Sequence, residues 1–125
     1  MQLKGYGVLQ VEPTDYCNLN CDMCRPHRDL WAEIHGVPKG FLSLDVWRAI
    51  VRNFVDDKIV FDHLIFQWLG DPLLHPQIDE IIRIAQDNLA SQVGYFRLDS
   101  NMILLDQKRL NKIIASCQQN DAPLL

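Results

Sequence analysis

Apolar and polar positions along this chain switch repeatedly between two periods, and each switch marks an element. Val8-Leu9-Gln10-Val11-Glu12 alternates with a period of two, the mark of a strand with one buried face. Pro13 ends it, because proline brings no N–H to a ladder. After Ser43, a natural N-cap, the period becomes helical, and Trp47, Ile50, Val51 and Phe54 share one face. Ile59 to Trp68 is rich in β-branched and aromatic residues. Its later part, His63 to Trp68, reads as a buried strand that Gly70-Asp71-Pro72 closes.

A second helix is expected from about Pro76, since proline is tolerated in a first turn; Ile78, Ile81, Ile82, Ala85 and Leu89 form its stripe. Gln92 to Leu98 is a third strand, followed by a turn at Asp99-Ser100-Asn101. Asp106 caps a last helix with Leu110, Ile113, Ile114 and Cys117 on one side, and Asn120-Asp121-Ala122-Pro123 stops it. Residues 27–42 read as irregular, with Gly36, Pro38 and Gly40 as breakers.

The order is β-loop-α, β-α, β-α. That pattern predicts an α/β fold of parallel strands joined by right-handed crossovers. In such folds chemistry gathers on the loops after the strand C-termini. Three unusual segments fall there: a cysteine loop over residues 14–26, Gly70-Asp71-Pro72, and Ser100-Asn101.

Composition narrows the choice of partners. With 125 residues the chain is expected to be one domain. Its net charge of -4, without a basic run, argues against nucleic acid, which is held mainly by clustered positive charge. No stretch approaches the roughly 20 apolar residues of a membrane span. The start has no apolar core or cleavage site of a signal peptide, so a cytoplasmic location is expected.

Three of the four cysteines lie together as Cys17-Asn18-Leu19-Asn20-Cys21-Asp22-Met23-Cys24. A disulfide framework would spread them in pairs along the chain. Three thiolates can instead hold three irons of a 4Fe–4S cluster and leave the fourth iron open to a small molecule. The alternative on spacing is structural zinc, with His27, His35 or Cys117 completing a set of four donors.

Thr14 to Cys24 resembles the cluster loop of the radical S-adenosylmethionine (radical SAM) superfamily. Leu69-Gly70-Asp71-Pro72-Leu73-Leu74-His75-Pro76 is similar to that family's Gly-Gly-Glu-Pro segment after the second strand, with Leu69 and Asp71 as departures. Ser100-Asn101-Met102-Ile103 resembles its Thr-Asn-Gly-type turn after the third. The resemblance implies a partial (β/α) TIM-like barrel, of which three β/α units, half of the barrel, are here. The chain is therefore expected to be a truncated radical SAM core domain over residues 1–125.

The resemblance further implies that Cys17, Cys21 and Cys24 bind the cluster. Gly70 and Asp71 would meet the ammonium of S-adenosylmethionine, Met23 would lie near its adenine, and Ser100 and Asn101 would belong to the cofactor site. It implies a 5′-deoxyadenosyl radical that abstracts hydrogen from a small-molecule or peptide substrate, and a reductant protein such as a flavodoxin or ferredoxin. Its style resembles members that carry a SPASM domain, many of which modify peptides. A catalytically inactive cluster-binding remnant and a zinc-stabilised binding module are the alternatives.

Plainer roles are expected elsewhere. His63 and His75 read as structural histidines, Cys117 and Trp68 as packing, and Lys108, Arg109 and Lys112 as a solvated face. Three strands leave open sheet edges, so association that covers them is expected.

Overall fold

The computed structural model describes residues 5–24, 30 and 33–117. Three sequence expectations lie outside the described residues: His27 as a zinc donor, the end of the cysteine loop at residues 25–26, and the stop at Asn120–Pro123.

Three strands, β1 (Gly5–Val11), β2 (Val60–Phe66) and β3 (Val93–Arg97), form one sheet in the order β1-β2-β3, with both pairings parallel. Three helices follow them in turn: α1 (Leu44–Asp56), α2 (Ile78–Leu89) and α3 (Gln107–Cys117), with a 3-10 turn at Pro72–Leu74. The expected partial β/α architecture is therefore present.

Three boundaries differ from the sequence reading. β2 ends at Phe66, not Trp68, because its partner β1 ends at Val11, the residue paired with Phe66. Trp68 consequently leaves the ladder and is 54% exposed rather than packed. α2 starts at Ile78 rather than Pro76, because the His75 ring accepts the Gln77 N–H at 3.0 Å and holds that segment off the helical path. Residues 33–35 are helical where irregular chain was expected, and Gly36 ends the turn at φ +59, a conformation glycine adopts without strain.

Helix starts follow the sequence signals. Ser43 Oγ accepts the Val46 N–H at 3.2 Å, and Asp106 Oδ1 accepts the Arg109 N–H at 2.7 Å. Arg109 does not stay on a solvated face, since its guanidinium donates to the Leu73 carbonyl.

Register fixes which residues become core. Leu9, Leu64 and Phe96 lie side by side across the sheet, and Val11 pairs with Phe66. Leu64, Phe66 and Phe96 are fully buried together with Trp47, Ile81, Ile82 and Leu89 of the helices. Each such side chain contributes about 1.5–3 kcal/mol by leaving water. α2 packs against both α1 and α3, and the Trp47 indole donates to the Ile81 carbonyl at 2.9 Å. Cys117 packs against this core, and burial pushes its thiol pKa up. The next row on β2 and β3 is different: His63 stacks on Tyr95 at 4.8 Å and 6°, and its partner on β1, Val8, is half exposed. His63 thus has the structural role expected of it.

Candidate cofactor site at the strand C-termini

Parallel strands deliver three loops to one rim, and backbone bonds then lock those loops together. The first leaves β1 and is tied to the segment before α1. Pro13 O accepts the Leu42 N–H at 2.8 Å, Thr14 Oγ1 donates to Gly40 O at 2.7 Å, and Asp15 Oδ1 accepts the Gly40 N–H at 2.8 Å. The Tyr16 ring lies 5.2 Å from that of Phe41. Beyond this anchor, Cys17 is half-buried while Cys21 and Cys24 are exposed. A turn closes between the last two, with Cys24 N–H on Cys21 O at 3.1 Å.

The loop after β2 packs directly on this anchor. Asp71 N–H donates to Tyr16 O at 2.8 Å. A Cβ on Gly70 would overlap the Thr14 carbonyl oxygen and lie 2.8 Å from Asp15 Cα. Only glycine allows that approach, so the close contact is with the cysteine loop's own backbone. Glu12 completes the junction: its Oε1 accepts the N–H groups of Leu69 at 2.7 Å and Gly70 at 3.0 Å. Burial raises the Glu12 pKa, those two bonds oppose the rise, and the nearby Asp15 charge adds to it.

The loop after β3 is fastened by Asp71. This carboxylate is only 4% exposed. Oδ1 accepts the Leu73 N–H at 2.9 Å, Ser100 Oγ lies 3.0 Å from both oxygens, and Oδ2 accepts the Asn101 N–H at 2.8 Å. Asp71 therefore caps the 3-10 turn and clamps the third loop. Ser100 and Asn101 are joined to it rather than being a separate turn. His75 sits just behind: it is buried, Nε2 lies 2.9 Å from Leu42 O, and Nδ1 accepts from Gln77. That is the local structural role the sequence indicated.

The three loops enclose a cavity of about 240 Å³ lined by Cys17, Cys21, Cys24, Gly70, Asp71, Ser100 and Asn101 among others. All the cluster and cofactor residues implied by the sequence resemblance converge there except Met23, which is 79% exposed and outside the lining. Glu12 was missed, because at the end of an alternating strand it looks like an ordinary solvent position. A carboxylate at a strand C-terminus in a β/α fold was the available signal.

The donor chemistry can be tested against the two metals the spacing allows. A single zinc with Zn–S bonds of about 2.3 Å would draw its thiolates to within about 3.8 Å of one another. Among the described residues no three Cys, His, Asp or Glu side chains group tightly enough for one ion. Three thiolates that line a common cavity can each give one sulfur to an iron of a polynuclear group. Cys117 packs against the core and is not in the cavity lining. The residues present fit a 4Fe–4S cluster.

Comparisons with known proteins agree with this geometry. The family profile described as "Radical SAM superfamily" matches residues 11–120. A GTP 3′,8-cyclase from Microcystis aeruginosa (strain NIES-843 / IAM M-2473) is 27% identical over 128 aligned positions, covering 95% of this chain and 36% of the cyclase. Among solved structures, BtrN in an open conformation superposes with a TM-score of 0.69 at 17% identity, over 89% of this chain and 46% of that one. BtrN in complex with AdoMet and 2-DOIA gives 0.67 at 18% identity, over 92% and 44%. The chain thus spans about a third of the cyclase's length and under half of BtrN's.

Proposed function

The chain belongs to the radical SAM superfamily, and from that premise we propose that it binds a 4Fe–4S cluster on Cys17, Cys21 and Cys24 and S-adenosylmethionine beside it. The observation that carries this reading is the convergence of three separate loops, each bearing one family-like segment, on a single cavity. When bound, the pair supplies reductive cleavage of the sulfonium to a 5′-deoxyadenosyl radical that abstracts hydrogen from a substrate.

The chain's own residues bind and position. Glu12 and Gly70 press the second loop against the first, which places the Leu69 to Asp71 backbone beside the cysteines. The Asp71 carboxylate already accepts from Leu73, Ser100 and Asn101. Backbone carbonyls of its segment are thus the better acceptors for the methionine ammonium, with Asp71 adding negative charge nearby. Met23, exposed on the cysteine loop, is left free to cover a bound adenine as a flexible apolar side chain.

For the substrate, the relatives' names favour a small molecule over a peptide: the cyclase is named for GTP, and the BtrN complex contains 2-DOIA. The electron comes from a low-potential reductant protein of the flavodoxin or ferredoxin type. Among the described residues no helix is long and apolar enough to cross a membrane.

The test is anaerobic incubation of the iron- and sulfide-reconstituted chain with S-adenosylmethionine and a chemical reductant. Formation of 5′-deoxyadenosine that is lost in the Cys17→Ala, Cys21→Ala, Cys24→Ala variant supports the reading. Cluster uptake without 5′-deoxyadenosine would limit this chain to cofactor binding, the remnant alternative.

A further inference from the structure

The Asn101 side chain has every hydrogen-bonding atom assigned. Its Oδ1 accepts the Ile103 N–H at 3.0 Å, which fixes the amide orientation. Nδ2 therefore points the other way, donating to Asn18 Oδ1 at 2.8 Å and lying 4.0 Å from Cys17 Sγ. The Asn101 backbone is held in turn by the buried Asp71 carboxylate. Ser100 Oγ bridges that carboxylate and the Met102 N–H at 3.0 Å. A chain of contacts thus runs from the loop after β2, through the loop after β3, to the first cysteine.

We propose that Asn101 is a positioning residue for the cluster, its amide N–H directed at the Cys17 thiolate and its backbone locked by Asp71. This rests on the cluster assignment above. A donor to a ligand sulfur favours the reduced, more negative cluster, so it raises the reduction potential. Cys17 also receives the Leu19 N–H at 3.4 Å, a local contact within its own loop. The Asn101 contact differs because it couples the cluster ligand to a loop more than eighty residues away.

Asn101→Asp provides the sharpest perturbation. One carboxylate oxygen keeps the Ile103 bond, while the other turns a donor toward Cys17 into an anion facing it. Asn101→Ala removes the donor without adding charge.

The measurement is a redox titration of the reconstituted chain followed by electron paramagnetic resonance, with iron and sulfide content checked on each sample. We expect Asn101→Ala to shift the reduction equilibrium about fivefold toward the oxidised cluster, the effect of one ordinary hydrogen bond. Asn101→Asp should shift it further the same way, by at least about tenfold, since like charges at that distance repel strongly in a partly buried site. Potentials of fully loaded Asn101→Ala and Asn101→Asp that match the parent would overturn the proposal. A parent chain that takes up no 4Fe–4S cluster would overturn the reading beneath it instead. If Asn101→Asp does not load, Asn101→Ala alone decides, because it introduces no charge.

Discussion

Gly70→Ala probes the junction on which the site depends. The added methyl carbon would overlap the Thr14 carbonyl oxygen and approach Asp15 Cα. Neither atom can step aside, because Thr14 and Asp15 are fixed by bonds to Gly40 and Pro13 is fixed to Leu42. The loop after β2 must therefore withdraw. Its attachments are two N–H bonds to the Glu12 carboxylate and the Asp71 N–H bond to Tyr16 O. A bond to a charged group contributes about 1.5–3 kcal/mol and a neutral one about 0.5–1.5. Partial loss of the three gives a cost of about 2–5 kcal/mol, a large share of the roughly 5–15 kcal/mol typical of a domain.

Urea unfolding followed by circular dichroism reads the change. With a slope of about 2 kcal/mol per molar urea, the midpoint should fall by about 1–2.5 M. Gly40→Ala is the matched control. Gly40 is exposed, its φ is not left-handed, and a Cβ there meets nothing within 4 Å. Alanine at such a position narrows the unfolded ensemble and should stabilise by about 0.4–1 kcal/mol. The two variants are thus expected to move in opposite directions. A Gly70→Ala midpoint equal to the parent or above Gly40→Ala would refute the packing argument.

Other outcomes follow from single residues. Burial lowers the His75 pKa below its ordinary 6.5, with the Leu42 contact and the Asp79 charge opposing the shift. The unfolded chain then binds the extra proton first, so stability held above pH 6.5 is lost as pH falls toward the depressed value; thermal melts of His75→Gln should be flatter over that range. Met102 is left-handed at φ 64 and more than half exposed, where glycine carries no Cβ penalty. Met102→Gly should therefore raise stability by about 0.5–1 kcal/mol in the same urea assay, and a loss would mean the side chain packs usefully. Trp47→Phe removes the buried indole bond to the Ile81 carbonyl, which keeps its place in the α2 ladder, so a cost of about 0.5–1.5 kcal/mol for the lost bond is expected from its unfolding midpoint.

Much of this fold was legible because its elements carry clean periodicity. The stripes of α1 and α2 and the caps at Ser43 and Asp106 are local signals, and the structure keeps them. The end of β2 was less legible because it depends on a distant partner, β1, which runs out opposite Phe66, and the start of α2 because a side chain, the His75 ring, takes the Gln77 N–H. The cysteines, Gly70, Asp71, Ser100 and Asn101 could be picked from motif and position on the rim. Their division of labour could not, since the Asp71 clamp joins residues about thirty positions apart. The partners of Glu12 were hidden for the same reason: Leu69 and Gly70 become its neighbours only once β1 and β2 pair.

The central claim is that Cys17, Cys21 and Cys24 together hold a 4Fe–4S cluster. The most direct measurement is an iron, acid-labile sulfide and zinc assay on the anaerobically reconstituted chain, beside the triple Cys→Ala variant. About four irons and four sulfides per chain, absent from the variant, is the result expected. Zinc without sulfide, or iron retained when the three cysteines are gone, would contradict it.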